Sequence, residues 1–233
     1  MFPLKDDVPS RTVPIVTIGL IALNMLVFLY EFSLALGGEA GAEASAQAFV
    51  REFGVIPCRL SGGCRSNADF PGPILTVFTS MFVHGGVFHV LGNMLYLWIF
   101  GDNVEDTLGH GRFLVFYLAS GVAAVLAQTL ANPSSQIPMI GASGAVSGVL
   151  GAYLILFPHA GILTLLVLGF FIRMIRVPAI IVLGFWMVVQ LINGLAGLGR
   201  SESGGVAWFA HVGGFAAGLI LLFLLRPGAR TRL

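Results

Sequence analysis

The sequence predicts an all-α polytopic membrane protein, a bundle of six transmembrane helices. Of its 233 residues, 57% are apolar and 10% are charged, and the mean hydropathy is +0.93. These values exclude an ordinary soluble globular protein. The chain also contains six apolar runs close to the roughly 20 residues that a helix needs to cross the hydrocarbon core of a bilayer.

The six runs, numbered as spans one to six in chain order, define a single integral membrane domain over residues 1–233. The spans are Val13 to Tyr30, Phe82 to Gly101, Phe113 to Ala131, about Met139 to Phe157, Val177 to Leu198 and Val206 to Leu225. A further apolar piece, Gly161 to Ile172, is too short to cross and is interpreted as re-entrant or interfacial. Span one could alternatively be a signal peptide, but it is long for one, and Lys5 and Arg11 before it are balanced by Asp6 and Asp7.

The loop charges predict the orientation. With both termini in the cytoplasm, that side receives eight of the 12 Lys and Arg residues and the outer side four. We therefore expect an integral protein of the plasma (inner) membrane with an external loop at residues 31–81. This loop contains Cys58 and Cys64, which could form a disulfide or remain two thiols. A net charge of +1 argues against a nucleic-acid partner.

Spans two, four and six all enter from the outer face, and each carries polar residues near that entrance. Span two contains His89 and Asn93, span four contains Ser143, and span six contains His211. At 1.5 Å per residue, His89, Ser143 and His211 lie within roughly 10 Å of the outer boundary. The topology therefore brings these groups to one depth, where polar side chains inside a span suggest function.

These residues supply the parts needed for acyl transfer. Alone, Ser143 would be interpreted as a small packing residue, but a neighbouring imidazole can remove its proton. Spans four to six contain no Asp or Glu to orient His211, so the sequence predicts a Ser-His dyad. The first-turn N–H groups of span four, from Gly141 onward, with His89 and Asn93, are the expected oxyanion donors.

The other polar groups indicate no cofactor and no metal. His84 and His89 lack the His-Glu-x-x-His zinc pattern. The acidic residues at the inner end of span two are interpreted as a structural cap or loop network, because they lie across the membrane from Ser143. They are Asp102, Glu105 and Asp106. In span five, Gln190 and Asn193 are expected to bond to neighbouring helices.

Three motifs in this order resemble the rhomboid family of intramembrane serine proteases. They are His89-Val90-Leu91-Gly92-Asn93, Gly141-Ala142-Ser143-Gly144 with Gly148, and Ala210-His211-Val212-Gly213-Gly214 with Gly218. The resemblance implies a rhomboid-type six-helix bundle and cleavage of single-pass membrane protein substrates in the lipid bilayer. It also implies that Ser143 is the nucleophile, that His211 is the base, and that His89 and Asn93 stabilise the oxyanion.

The chain departs from the family pattern at two places. Leu75 and Thr76 stand where some members have a Trp-Arg pair, and Ser147 stands where some have an aromatic that stacks on the catalytic His. The ring of His211 must therefore be held in another way. Two other classes compete, a catalytically silent rhomboid-like protein that binds membrane proteins and a transporter. The sequence assigns no oligomeric state.

Overall fold

Within the residues that the structure describes, the chain is mostly helical. This computed structural model describes residues 2–36, 42–64, 71–168, 171–197 and 206–226. The helices are α1 (Ile15–Ala35), α2 (Ala42–Phe53), α3 (Pro57–Leu60), α4 (Pro73–Thr79), α5 (Val87–Leu108), α6 (His110–Ala131), α7 (Ser143–Leu156), α8 (Ala179–Gly197) and α9 (Trp208–Leu225). The strands are β1 (Phe2–Lys5), β2 (Gly161–Leu168) and β3 (Phe171–Pro178).

Six helices lie at the six predicted spans, namely α1, α5, α6, α7, α8 and α9. Four of them, α1, α6, α8 and α9, are long and apolar enough to cross a membrane. Helix α7 is apolar but has only 14 residues. Helix α5 has 22 residues, and its last two turns carry three acidic side chains. Length and composition therefore support four spans among the described residues.

Several helix ends differ from the predicted boundaries, because hydropathy does not mark where backbone hydrogen bonding stops. Helix α1 continues to Ala35, five residues into the predicted external loop. Helix α7 begins at Ser143 instead of about Met139, since Gly141 has a φ of +110°, which a right-handed helix does not allow. The predicted end of span five, Leu198, lies outside the described residues.

The all-α prediction is wrong at one end of the bundle, where β1, β2 and β3 form an antiparallel sheet in that order. The segment interpreted as re-entrant or interfacial, Gly161 to Ile172, contains β2 and the start of β3, and its position relative to the membrane stays a prediction. Side-chain burial alternates along β2, since Ile162 and Thr164 are fully buried and Leu163 and Leu165 are not. A short aliphatic run fits either a strand or a buried helix segment, so the sequence could not separate them.

Helices α6 and α9 pack closely against the first half of α7. A β-carbon at Gly214 would overlap the carbonyl of Gly144, and one at Gly218 would overlap the carbonyl of Gly148. The two helix backbones are therefore in direct contact. This confirms the groove that the glycine spacing of span six indicates beside His211, and it brings α7 against that face.

The acidic end of α5 binds the start of α1. Glu105 accepts hydrogen bonds from the N–H groups of Val16 (2.9 Å) and Thr17 (2.8 Å) and from the Thr17 hydroxyl (2.7 Å). These N–H groups belong to the first turn of α1, which has no intrahelical partners for them. Asp106 accepts from Thr12, and Asp102 accepts from Ser10. The expectation of a structural cap is confirmed.

The predicted external loop is partly folded and is tied to the segment before α7. Cys58 and Cys64 form a disulfide. The N–H of Val55 donates to Met139 O and the N–H of Met139 donates back to Val55 O, at 3.1 and 2.7 Å. The Cys58 N–H donates to Ser135 O at 2.9 Å. The loop therefore fixes the chain that leads to Ser143.

Candidate active site

Ser143 and His211 are in direct hydrogen-bond contact. Ser143 is the first residue of α7 and His211 is the fourth of α9, so each side chain lies at a helix start. The distance from Ser143 Oγ to His211 Nε2 is 2.8 Å. Imidazole at this distance can accept the serine proton, as nucleophile activation requires.

The His211 ring is held from its other side by α8 and by a residue of its own helix. Gln190 Oε1 lies 2.7 Å from His211 Nδ1, and Gln190 is only 5% exposed. The indole rings of Trp186 and Trp208 approach the imidazole with centroid distances of 5.9 and 6.3 Å. Ser147, which replaces the stacking aromatic, instead donates from its hydroxyl to Ser143 O. The hydrogen bond to Gln190 and the two indole rings therefore hold the His211 ring in place of the missing aromatic.

The expectation that Gln190 bonds to a neighbouring helix is confirmed, but the sequence did not identify His211 as its partner. A signal was present, because Trp186 and Gln190 are four residues apart and so share one face of α8. The same expectation for Asn193 is wrong, since its Nδ2 donates to Val189 O within α8 at 2.8 Å. A polar side chain can satisfy itself on its own helix, so composition alone does not name the partner.

His89 and Asn93 both face the backbone at Gly141. A β-carbon placed on Gly141 would lie 2.7 Å from His89 Nε2 and 3.5 Å from Asn93 Nδ2. The Gly85 N–H donates to His89 Nδ1 over 3.4 Å, which leaves the ring hydrogen on Nε2. Asn93 Nδ2 is buried and has no hydrogen-bond partner among the described residues. Two side-chain donors therefore converge beside the chain that leads into Ser143.

The Gly141 N–H, which the sequence analysis placed among the oxyanion donors, is occupied. It donates to Ser80 O at 2.8 Å, and the next N–H, of Ala142, donates to His84 Nε2 at 3.4 Å. The route of the loop before α5, which sequence spacing does not define, sets both contacts. Gly141 instead leaves open the space beside His89 and Asn93.

His84 supports the backbone next to the nucleophile, a role that the sequence analysis did not assign. The side chain is fully buried, and its Nδ1 lies 3.3 Å from Phe82 O. With Nδ1 as donor, Nε2 accepts the Ala142 N–H. The His84 N–H in turn donates to Glu31 of α1 at 3.1 Å. No cluster of three potential metal ligands occurs in the described part of the chain.

Gln128 of α6 fixes the start of the helix that carries His211, and sequence reasoning did not find it. Its Oε1 accepts the N–H groups of Phe209 (3.0 Å) and Ala210 (3.3 Å). Both belong to the first turn of α9, and the Ala210 N–H is shared between Gln128 and Ala207 O, which lies 3.0 Å away. This cap holds the first turn of α9, and with it His211, against α6.

A cavity of about 30 Å³ adjoins Ser143. Its lining includes Met81, Gly121, Val125 and Ala210, so its walls are mostly apolar. This volume holds about one water molecule. The cavity itself is therefore too small to hold a peptide segment.

The fold and the site define a class of protein, a helical membrane protein with a hydrogen-bonded Ser-His pair between two of its helices. The chain belongs to the rhomboid family, because a family model described as Rhomboid domain matches residues 71–228. The matched range contains Ser143 and His211 as well as His89, Asn93 and Gln190.

Relatives from several organisms carry rhomboid names. The chain is 35% identical to RHOMBOID-like protein 1 of Arabidopsis thaliana over 65% of its own length and 35% of the relative's. It is 38% identical to the mitochondrial Rhomboid protein 1 of Saccharomyces cerevisiae over 41% of its length and 29% of the relative's. It is 33% identical to Rhomboid protease GluP of Bacillus subtilis over 60% and 24%. The chain thus spans about a quarter to a third of these relatives.

Proposed function

We propose that this protein is an intramembrane serine endopeptidase that hydrolyses peptide bonds of single-pass membrane protein substrates. The observation that carries the proposal is the 2.8 Å contact between Ser143 Oγ and His211 Nε2. Membership of a family whose named members include proteases supports it. No cofactor enters the proposed chemistry.

In the proposed mechanism, Ser143 Oγ attacks the scissile carbonyl carbon while His211 Nε2 takes the serine proton. The imidazolium then gives that proton to the leaving amine as the C–N bond breaks, leaving an acyl ester on Ser143. Water deprotonated by His211 attacks this ester, which releases the new carboxyl end and returns the proton to Ser143. The two carbonyl additions each place negative charge on the former carbonyl oxygen.

The proposed oxyanion donors are His89 Nε2–H, Asn93 Nδ2–H and the Ser143 N–H. The two side chains converge on one space beside Gly141. Asn93 has a free donor there among the described residues. The Ser143 N–H is at the first position of α7, where a helix supplies no acceptor. Donors fixed in place before the reaction stabilise the transition state without reorganisation.

We further propose one membrane domain with six spans and both termini in the cytoplasm of a plasma (inner) membrane. The loop charges support this orientation. At 1.5 Å per residue, the 14 residues of α7 extend only about 21 Å. Helix α7 is enclosed by α5, α6 and α9, so protein rather than lipid surrounds it. A short, buried helix can therefore serve as the central span.

The proposal is tested by incubating the detergent-purified protein with a panel of single-span substrates and identifying the products by mass. Wild-type protein should cleave at least one substrate at a defined bond, and a folded Ser143→Ala variant should cleave none. Substrates that bind the wild type without cleavage would instead identify a catalytically silent rhomboid-like binder.

A further inference from the structure

The residue behind the histidine is unusual in its chemistry and its burial. Gln190 lies in α8, an apolar helix. Many aliphatic side chains of this helix are exposed. The Gln190 amide is nevertheless buried and its Oε1 is 2.7 Å from His211 Nδ1. Burying a polar amide is costly unless it is hydrogen-bonded, so this contact satisfies both partners.

The direction of this hydrogen bond decides the state of the imidazole. An amide oxygen can only accept, so His211 Nδ1 must carry the hydrogen. In a neutral ring the second nitrogen, Nε2, then has a free lone pair. Nε2 is the atom 2.8 Å from Ser143 Oγ. The contact with Gln190 therefore selects the tautomer that can accept the serine proton.

We propose that Gln190 is the positioning residue of this site, holding the His211 ring in place and in its base-competent tautomer through Nδ1. The inference rests on the proposed function, since it gives a third member to the proposed dyad. Amides fill the same place in Cys-His-Asn proteases. Unlike a carboxylate, Gln190 adds no net charge, so it avoids burying an ion within the membrane.

The test compares two substitutions that differ in the acceptor oxygen. Gln190→Leu removes the acceptor and should lower kcat about 10- to 100-fold, because the imidazolium loses a hydrogen bond to a buried partner. KM should stay the same, since Gln190 lies behind His211. Gln190→Glu keeps an acceptor oxygen at His211 Nδ1 and should retain most of kcat, while the buried charge should lower its thermal stability.

Asn193→Leu is the matched control, on the same helix and one turn away. Among the described residues its amide bonds to the backbone of α8 and not to His211, so kcat should not change. Equal loss of kcat in folded Gln190→Leu and Gln190→Glu proteins would overturn the inference. So would full activity in Gln190→Leu.

A second measurement does not depend on cleavage. In protein labelled with ¹⁵N-histidine, the resonance that is missing in His211→Ala should report a neutral ring protonated at Nδ1, and Gln190→Leu should lose this preference. A wild type that cleaves substrate with His211 protonated at Nε2 overturns the inference alone. A wild type that cleaves nothing but shows the Nδ1-protonated ring overturns the proposed function and leaves the positioning role intact.

Discussion

Replacing Gly141 by alanine tests the arrangement of the oxyanion donors. The new β-carbon would lie 2.7 Å from His89 Nε2, closer than van der Waals contact, so the ring must move. The φ of +110° adds backbone strain of about 1–3 kcal/mol for a residue with a side chain. Loss of one preorganised donor lowers kcat by about 100- to 1,000-fold. Gly141→Ala should therefore lose both stability and turnover.

Two further glycines separate these effects when kcat and thermal unfolding are measured in parallel. Gly109 has a φ of +81° and open space around its β-position, so Gly109→Ala should destabilise the fold without lowering kcat. Gly92 lies within α5, one turn from His89, also with open space, and Gly92→Ala should leave both quantities close to wild type. A Gly141→Ala protein with wild-type kcat would refute the placement of His89 and Asn93 as donors.

Four other predictions concern single residues. Asn93→Ala should cost about 2–4 kcal/mol of transition-state stabilisation with KM little changed, because the Asn93 amide, unpaired among the described residues, faces the site. Steady-state kinetics measure this loss, and a wild-type kcat would contradict the prediction. Tyr153→Phe should lower the free energy of unfolding by about 1–3 kcal/mol, since its hydroxyl donates to Asp6 at 2.6 Å, and chemical unfolding measures the loss. Burial raises the pKa of Asp6 in the folded protein. The protonated side chain therefore favours the folded state at low pH, and this contribution is lost as pH rises through the folded pKa. Asp6→Asn should flatten that part of a curve of Tm against pH, and an unchanged curve would contradict the prediction. After reduction, Cys58 or Cys64 should react with an impermeant maleimide from outside only, and labelling from the cytoplasm would reverse the orientation.

The positions of the apolar helices could be predicted from the sequence because hydropathy is a one-dimensional quantity, and the common depth of the site residues stays a prediction. Hydropathy marks apolar runs, and a fixed rise per residue converts position into depth. The glycines at 214 and 218 also indicated correctly which face of span six meets another helix. The 2.8 Å contact between Ser143 and His211 is the geometry that this placement leads to.

The parts that the sequence missed depend on rotation and on loop paths. Gln190 reaches His211 only because of how α8 is turned, and no spacing along the chain defines that angle. The Gly141 N–H is occupied because the turn after α4 places Ser80 O against it. The strands β2 and β3 were missed because short aliphatic runs have no periodicity that separates a strand from a helix.

The central claim is that Ser143 is a nucleophile activated by His211, and the most direct measurement is mass-spectrometric mapping of a fluorophosphonate adduct on the folded protein. The reagent requires an activated serine and no knowledge of the substrate. The account predicts one adduct, on Ser143, in wild-type protein and none in a folded His211→Ala variant. An adduct on another residue, or equal labelling of Ser143 without His211, would contradict the account.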